Sequence, residues 1–342
     1  MSDDELDLLR RADPVPAASS RFADGPLDVR AERQLDRLLG RTPDDPIGGR
    51  RRIPWRTPRP RLLWAVAATA IVVAGTFTAL VGGPGAQPAV AAPRPLTVHA
   101  RSEPLPLAQL AELAAEAADD GSPRLRKGTH TQSWALGMAD GEAPITLPEE
   151  RIVRWRADDS HTALVVATDP RHPGSPVLTD TALDAHTVPD GHVISRTTYP
   201  PSWSDAPPES TPPHTPAALR AYLTEVVHPG RPASGHTLST GELIDATAEL
   251  LGHWTLGARE SAALTRLLAD TGDLRPVGEV KDRLGRPGQA YVLKDGDRGS
   301  RRMLVLDPRT GAVLGLETTV TRDDPEYGLR AGDVMEYTAW MR

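Results

Sequence analysis

Histidine is the side chain most often recruited to metal and proton-transfer chemistry near neutral pH. The chain has ten, nine of them between His130 and His253, with His161, His172, His186 and His192 the densest stretch. Zinc sites on a helix need H-x-x-x-H or H-E-x-x-H, and loop sites need H-x-H or H-x-x-H. None of these spacings occurs, so the histidines are expected as solvated loop residues. Cysteine is absent, which excludes a thiol nucleophile, a thiolate-bound zinc and a c-type haem attachment. There is no G-x-S-x-G, no P-loop and no G-x-G-x-x-G behind a strand. The adjacent acids Asp158-Asp159 and Asp323-Asp324 point apart on a strand and suit turns better than a glycosidase pair. The expectation is a protein that is not an enzyme, with no catalytic residue, no metal and no cofactor.

The aromatic residues carry more. Beyond residue 82 there is no Phe, so Trp134, Trp155, Trp203, Trp254 and Trp340, with five Tyr, supply the large rings. Most should pack in a core. On a curved sheet, Trp134, Trp155 and Tyr291 would line the concave face and meet a lipid-like ligand. Trp203 falls among prolines, where an indole folds back as a plug or offers an exposed contact.

The elements that must position these side chains begin with an apolar run. Residues 62–81, LLWAVAATAIVVAGTFTALV, are twenty residues without a charge, long enough for a helix to cross ~30 Å of hydrocarbon. Arg50, Arg51, Arg52, Arg56, Arg59 and Arg61 precede it, and no charge follows until Arg94. The positive-inside rule then predicts a single-pass membrane protein with residues 1–61 in the cytoplasm and 82–342 outside. The alternative is a cleaved signal peptide ending near Ala89-Val90-Ala91. The long apolar run and the sixty residues ahead of it favour the uncleaved anchor. The chain's net charge of −7 argues against nucleic acid as a partner.

Residues 1–49 hold eleven acidic and seven basic side chains and read as a largely disordered tail. Two short helices are expected in it, Asp4 to Arg11 and Asp28 to Gly40, with Leu35, Leu38 and Leu39 on one side of the second. That Leu stripe suits a cytoplasmic partner that accepts a helix in a groove. Residues 82–106 read as a Pro/Gly/Ala linker.

Residues 107–342 read as one α+β domain. A helix is expected over Leu107 to Asp119, then strands near 129–136, 151–156, 162–168 and 192–199. Residues 200–216 hold seven prolines and read as a long loop within the domain rather than an interdomain linker. Three amphipathic helices follow. Thr215 and Pro216 start the first, a capping box from Ser239 to Glu242 starts the second, and the third covers 258–270. Strands near 277–281, 289–294, 301–306, 312–320 and 334–340 close the chain. The turn Asp307-Pro308-Arg309-Thr310-Gly311 joins two of them and places Leu314, Leu316, Thr318 and Val320 on one face. Successive hairpins imply antiparallel pairing with the helices packed on one face of the sheet.

The opening DELDLLRRADPV, the single apolar run behind an Arg cluster, and the stretch from GEVKDRLGRPGQAYVL (278–293) to LVLDPRTGAVLG (304–315) carry a resemblance. The chain resembles a family of actinobacterial single-pass membrane proteins often encoded beside extracytoplasmic-function sigma factors. The order of helix, strands, central helices and strands is also similar to the lipoprotein-carrier fold, a curved half-barrel. The resemblance implies a signalling or sensor protein. Its outer domain would meet a lipid or envelope protein, and its tail a regulator of the sigma-factor system. A membrane-tethered lipid or lipoprotein carrier of the cell envelope is the alternative. The specific motifs are hairpin chemistry, so no active-site residue is carried over.

Overall fold

A computed structural model describes residues 93–137, 144–180, 185–201, 204–230, 237–295, 299–325 and 328–342. The expected tail, the apolar run 62–81 and Trp203 lie outside the described residues. Among the described residues no helix is long and apolar enough to cross a membrane.

Ten strands form one large sheet. After helix α1 (Leu107–Ala117), strands β1 (Arg126–Gly137), β2 (Ile145–Trp155) and β3 (His161–Ala167) run as an antiparallel meander. A small hairpin, β4 (Val177–Thr179) and β5 (His186–Val188), intervenes before β6 (His192–Tyr199) pairs with β3. The chain then leaves the sheet for helices α2 (Pro216–Val227), α3 (Thr240–His253) and α4 (Ala258–Ala269). The two-residue strand β7 (Trp254–Thr255) pairs with the start of β1. A second meander follows: β8 (Arg275–Lys281), β9 (Pro287–Asp295), β10 (Ser300–Leu306), β11 (Val313–Val320) and β12 (Val334–Met341). β12 closes back on β1, giving the order β6-β3-β2-β1-β12-β11-β10-β9-β8 with antiparallel pairs throughout. Strands from before and after the Pro-rich stretch share this sheet, so the prolines form a loop within it.

The helices form where the sequence predicts them, for local reasons. Ser239 accepts from the Glu242 amide while the Glu242 carboxylate accepts from the Ser239 amide, the reciprocal cap expected for α3. At α2, Pro216 takes the first turn, but the Thr215 hydroxyl makes no cap bond. All four helices bury apolar stripes on one sheet face. Leu110, Leu219, Leu223, Leu250, Leu264 and Leu267 meet Tyr291, Leu304, Leu306 and Trp340 there. Each fully buried Leu contributes about 1.5–3 kcal/mol, which makes this cluster the main source of stability.

The opposite face is covered by the chain's own approach to α1. Leu96 and Val98 pack against Val280, Val292, Met303 and Leu314. The Leu96 amide donates to Glu317 Oε1 at 2.9 Å, and Arg283 donates to the Arg94 carbonyl at 2.9 Å and to Glu317 Oε2 at 2.6 Å. Val98 bridges Val280 on β8, and the His99 amide donates to the Glu279 carbonyl. The chain then crosses the β8 edge, where the Tyr291 hydroxyl donates to the Leu105 carbonyl. The reading of residues 82–106 as a free spacer therefore fails for 93–106, which form a docked strap. Four prolines mark its composition, but Leu96 and Val98 alternate as a strand does.

One strand departs from its expected pattern. Leu314 packs on the strap side, whereas Leu316 packs with the helix-side cluster. A bulge at Leu314 of β11, between Val313 and Gly315 and opposite Leu306 and Val305 of β10, breaks the alternation. Gly315 is required there because the Tyr337 hydroxyl occupies the place of a Cβ.

Candidate binding surface

The structure does not bring Trp134, Trp155 and Tyr291 together. Trp134 pairs with Tyr337 and Pro148, on the strap side of the sheet. Trp155 and Tyr291 fall on the helix side, but on β2 and β9, five strand steps or roughly 24 Å apart along the sheet. The expectation of one concave aromatic wall is corrected by register. A single residue of parity sends Trp134 to the other face.

Two of the three rings are structural in their surroundings. Trp134 is 1% exposed, and its indole N–H donates to Asp169 Oδ1 at 3.2 Å. Arg171 lies over its ring and binds the same carboxylate through Nε and Nη2, while His172 Nδ1 contacts Oδ2. Burial pushes the Asp169 carboxyl up, but the hydrogen bonds and charge of Arg171, with His172, outweigh it and hold the group at about 2. Tyr291 is 0% exposed, with its hydroxyl spent on Leu105. Burial without an opposing charge pushes that phenol well above its usual range.

Trp155 has a different setting. It pairs with His161 across the β2–β3 turn, and the two rings stack with centroids 4.1 Å apart. His161 in turn stacks on Tyr199 of β6 at 4.5 Å. Lys127 caps the column, with Nζ 3.8 Å from the Trp155 ring centre and 3.0 Å from Asp159. The column thus crosses β1, β2, β3 and β6 and ends on Tyr199, which is 43% exposed on an exposed strand. Burial lowers the His161 pKa. Glu209 opposes that shift, while His253, Lys127 and Arg151 add to it. Two signs of this column are local, a Trp at a strand end and a turn-forming Asp158-Asp159-Ser160, but the register that stacks the rings is not.

The two halves of the sheet differ. The helices pack over β1 and β9, and the enclosed space they leave beside Trp254, Leu251 and Trp340 is about 20 Å³, room for one water. β2, β3 and β6 extend past them. On their strap-side face a depression of about 550 Å³ lies over Ile152, Leu164 and Thr162, with Arg154 and Arg196 at opposite corners. Sequence reading singled out neither arginine. The signal lies in the alternation of RIVRWR and HVISRTTY, which puts Arg154 and Arg196 on one face once β2, β3 and β6 are paired.

Fold and surface together define, among the described residues, an α+β protein built on one large antiparallel sheet with four helices. No family model matches the chain, and no curated protein matches it either.

Proposed function

We propose that the protein is a membrane-anchored, non-catalytic sensor or regulatory protein. Residues 62–81 anchor it in the cell membrane, residues 1–61 meet a cytoplasmic regulator, and the domain from Arg94 reads an envelope cue outside. The carrying observation is the asymmetry of the sheet. The cavity beside Trp254 and Trp340 in its helix-covered half holds about 20 Å³, while β6 at the other end of the sheet is exposed along its length. That arrangement favours recognition on the surface over cargo held inside. The side chains best suited to chemistry are also committed to fixed pairs: Asp169 to Arg171, Asp282 to Arg286, and Glu317 to Arg283.

The finer fold reading is a curved half-barrel similar to the lipoprotein-carrier fold. The insertion of α2, α3 and α4 between β6 and β8 supports it, as does a helix ahead of β1. The same order supports the alternative, a tethered lipid or lipoprotein carrier of the envelope. Scrambling residues 1–49 while keeping Arg50 to Arg61 separates the two. A regulatory protein so altered should give the transcript profile of a deletion strain. A wild-type profile overturns the regulatory reading and leaves the carrier.

A further inference from the structure

The register of β2, β3 and β6 builds a six-residue grid on the strap-side face. Arg154, Thr162 and Thr198 form one rank, and Ile152, Leu164 and Arg196 the next. The arginines thus sit at diagonal corners, two strand steps across and two residues along, roughly 12 Å apart at the backbone, a span that two extended arginine side chains are long enough to bridge. The Thr162 and Thr198 hydroxyls meet at 3.4 Å beside that centre. Ile152 and Leu164 are half-buried and supply an apolar floor. Arg156 completes the rim of the depression, which is open to solvent and whose volume of about 550 Å³ is in the range of small-ligand pockets.

The charge of this grid is uncompensated. Among the described residues, neither Arg154 nor Arg196 has a carboxylate partner. The neighbouring acids are engaged elsewhere: Glu150 with His130 at 2.6 Å, Asp158 with the Ser160 amide and hydroxyl, and Asp159 with Lys127. Two guanidinium groups without a carboxylate partner, on the same sheet face as two hydroxyls, match the oxygens of a phosphate group, which accepts bidentate bonds from arginine. The apolar floor adds a requirement that inorganic phosphate does not meet.

We infer that the Arg154–Arg196 grid binds a phosphate monoester whose ester group is apolar and rests on Ile152 and Leu164. A discrete ligand fits better than a membrane surface. From Arg94 onward the chain carries 26 basic against 35 acidic side chains, so the domain as a whole is repelled by an anionic bilayer while the grid attracts one anion locally. This assignment holds whether the protein signals or carries.

The test uses the full chain in dodecyl maltoside, titrated calorimetrically with hexyl phosphate, inorganic phosphate and hexanol, and by co-sedimentation with phosphatidylglycerol vesicles. Hexyl phosphate should bind at least tenfold more tightly than inorganic phosphate, and hexanol should not bind. Arg154→Gln and Arg196→Gln should each weaken hexyl phosphate about tenfold, the loss of one charge-assisted contact. Both side chains are exposed, so melting temperatures should stay unchanged. Leu164→Thr should lower affinity for hexyl phosphate and leave that for inorganic phosphate as it was. Undiminished binding in the double arginine variant overturns the assignment. So does vesicle binding that falls in the double arginine variant while hexyl phosphate does not bind the wild-type chain, which would make the grid a lipid-surface contact.

Discussion

His161 stacks between two rings with its Nδ1 buried and unbonded, so the neutral imidazole is the form the fold prefers. Its pKa is lowered from 6.5, chiefly by burial. As pH falls below 6.5 the unfolded chain takes up the proton first, and the native state loses stability until the folded pKa is reached. His161→Phe keeps the stack and removes the proton. Melting curves of the two proteins should therefore run parallel above pH 7 and diverge below 6.5, with the variant the more stable; parallel curves down to pH 5 would mean that burial of the imidazole carries no penalty. Asp169 behaves oppositely. Its stabilisation is complete above the ordinary 3.8 and is lost as pH falls toward about 2. In Asp169→Asn, stability should fall by at most about 2 kcal/mol from the lost ionisation at neutral pH. Its acid limb between pH 4 and 2 should flatten. An unchanged limb would assign the acid sensitivity to other carboxylates.

Two elements carry interactions that substitution can isolate. The strap of residues 93–106 is held by Arg283 and Glu317, whose side chains are 6% and 0% exposed. Removing one partner leaves a buried charge alone, at a cost of about 3–5 kcal/mol. Arg283→Met should sharply raise hydrogen exchange at the Leu96 amide and open Arg94 and Arg101 to trypsin. Adding Glu317→Leu should restore much of the protection. Exchange that stays slow in Arg283→Met would show that Leu96 and Val98 hold the strap without the ion pair. At the β11 bulge, Gly315→Ala should destabilise the protein because its methyl meets the Tyr337 hydroxyl, and Tyr337→Phe should relieve most of that loss. Equal losses with and without the hydroxyl would place the strain in the backbone. These two elements also mark where the sequence was least legible. Long alternating runs such as 192–199 and 334–340 state their own strand character. The strap is hidden by its prolines, and the Leu314 bulge by an alternation that looks unbroken. The first six residues of β2 escaped for a related reason, since Pro148 inside 145–150 argues locally against a strand.

At the scale of the molecule, antiparallel pairing and one-sided helix packing were legible, because hairpin turns such as Asp307 to Gly311 and capping boxes are local signals. The return of β12 to β1 was not, since no local residue specifies a pairing across roughly two hundred positions. The candidate surface suffered for the same reason: which aromatic shares a face with which depends on that register. The anchor reading makes its own prediction. The full chain should fractionate with membranes and resist carbonate extraction, whereas a mature soluble product starting near Ala92 would replace the anchor by a cleaved signal. The docked strap sets how such an anchor would act. Were 82–106 slack, twenty-five residues could extend to roughly 85 Å, but with chain from residue 93 onward pinned to the sheet only eleven remain, a leash of at most about 40 Å. A pull on that leash would fall first on the bond from Arg283 to the Arg94 carbonyl and on the Leu96–Glu317 clasp, so tension between bilayer and envelope would be felt at Arg283 and β11 before it reached the helices.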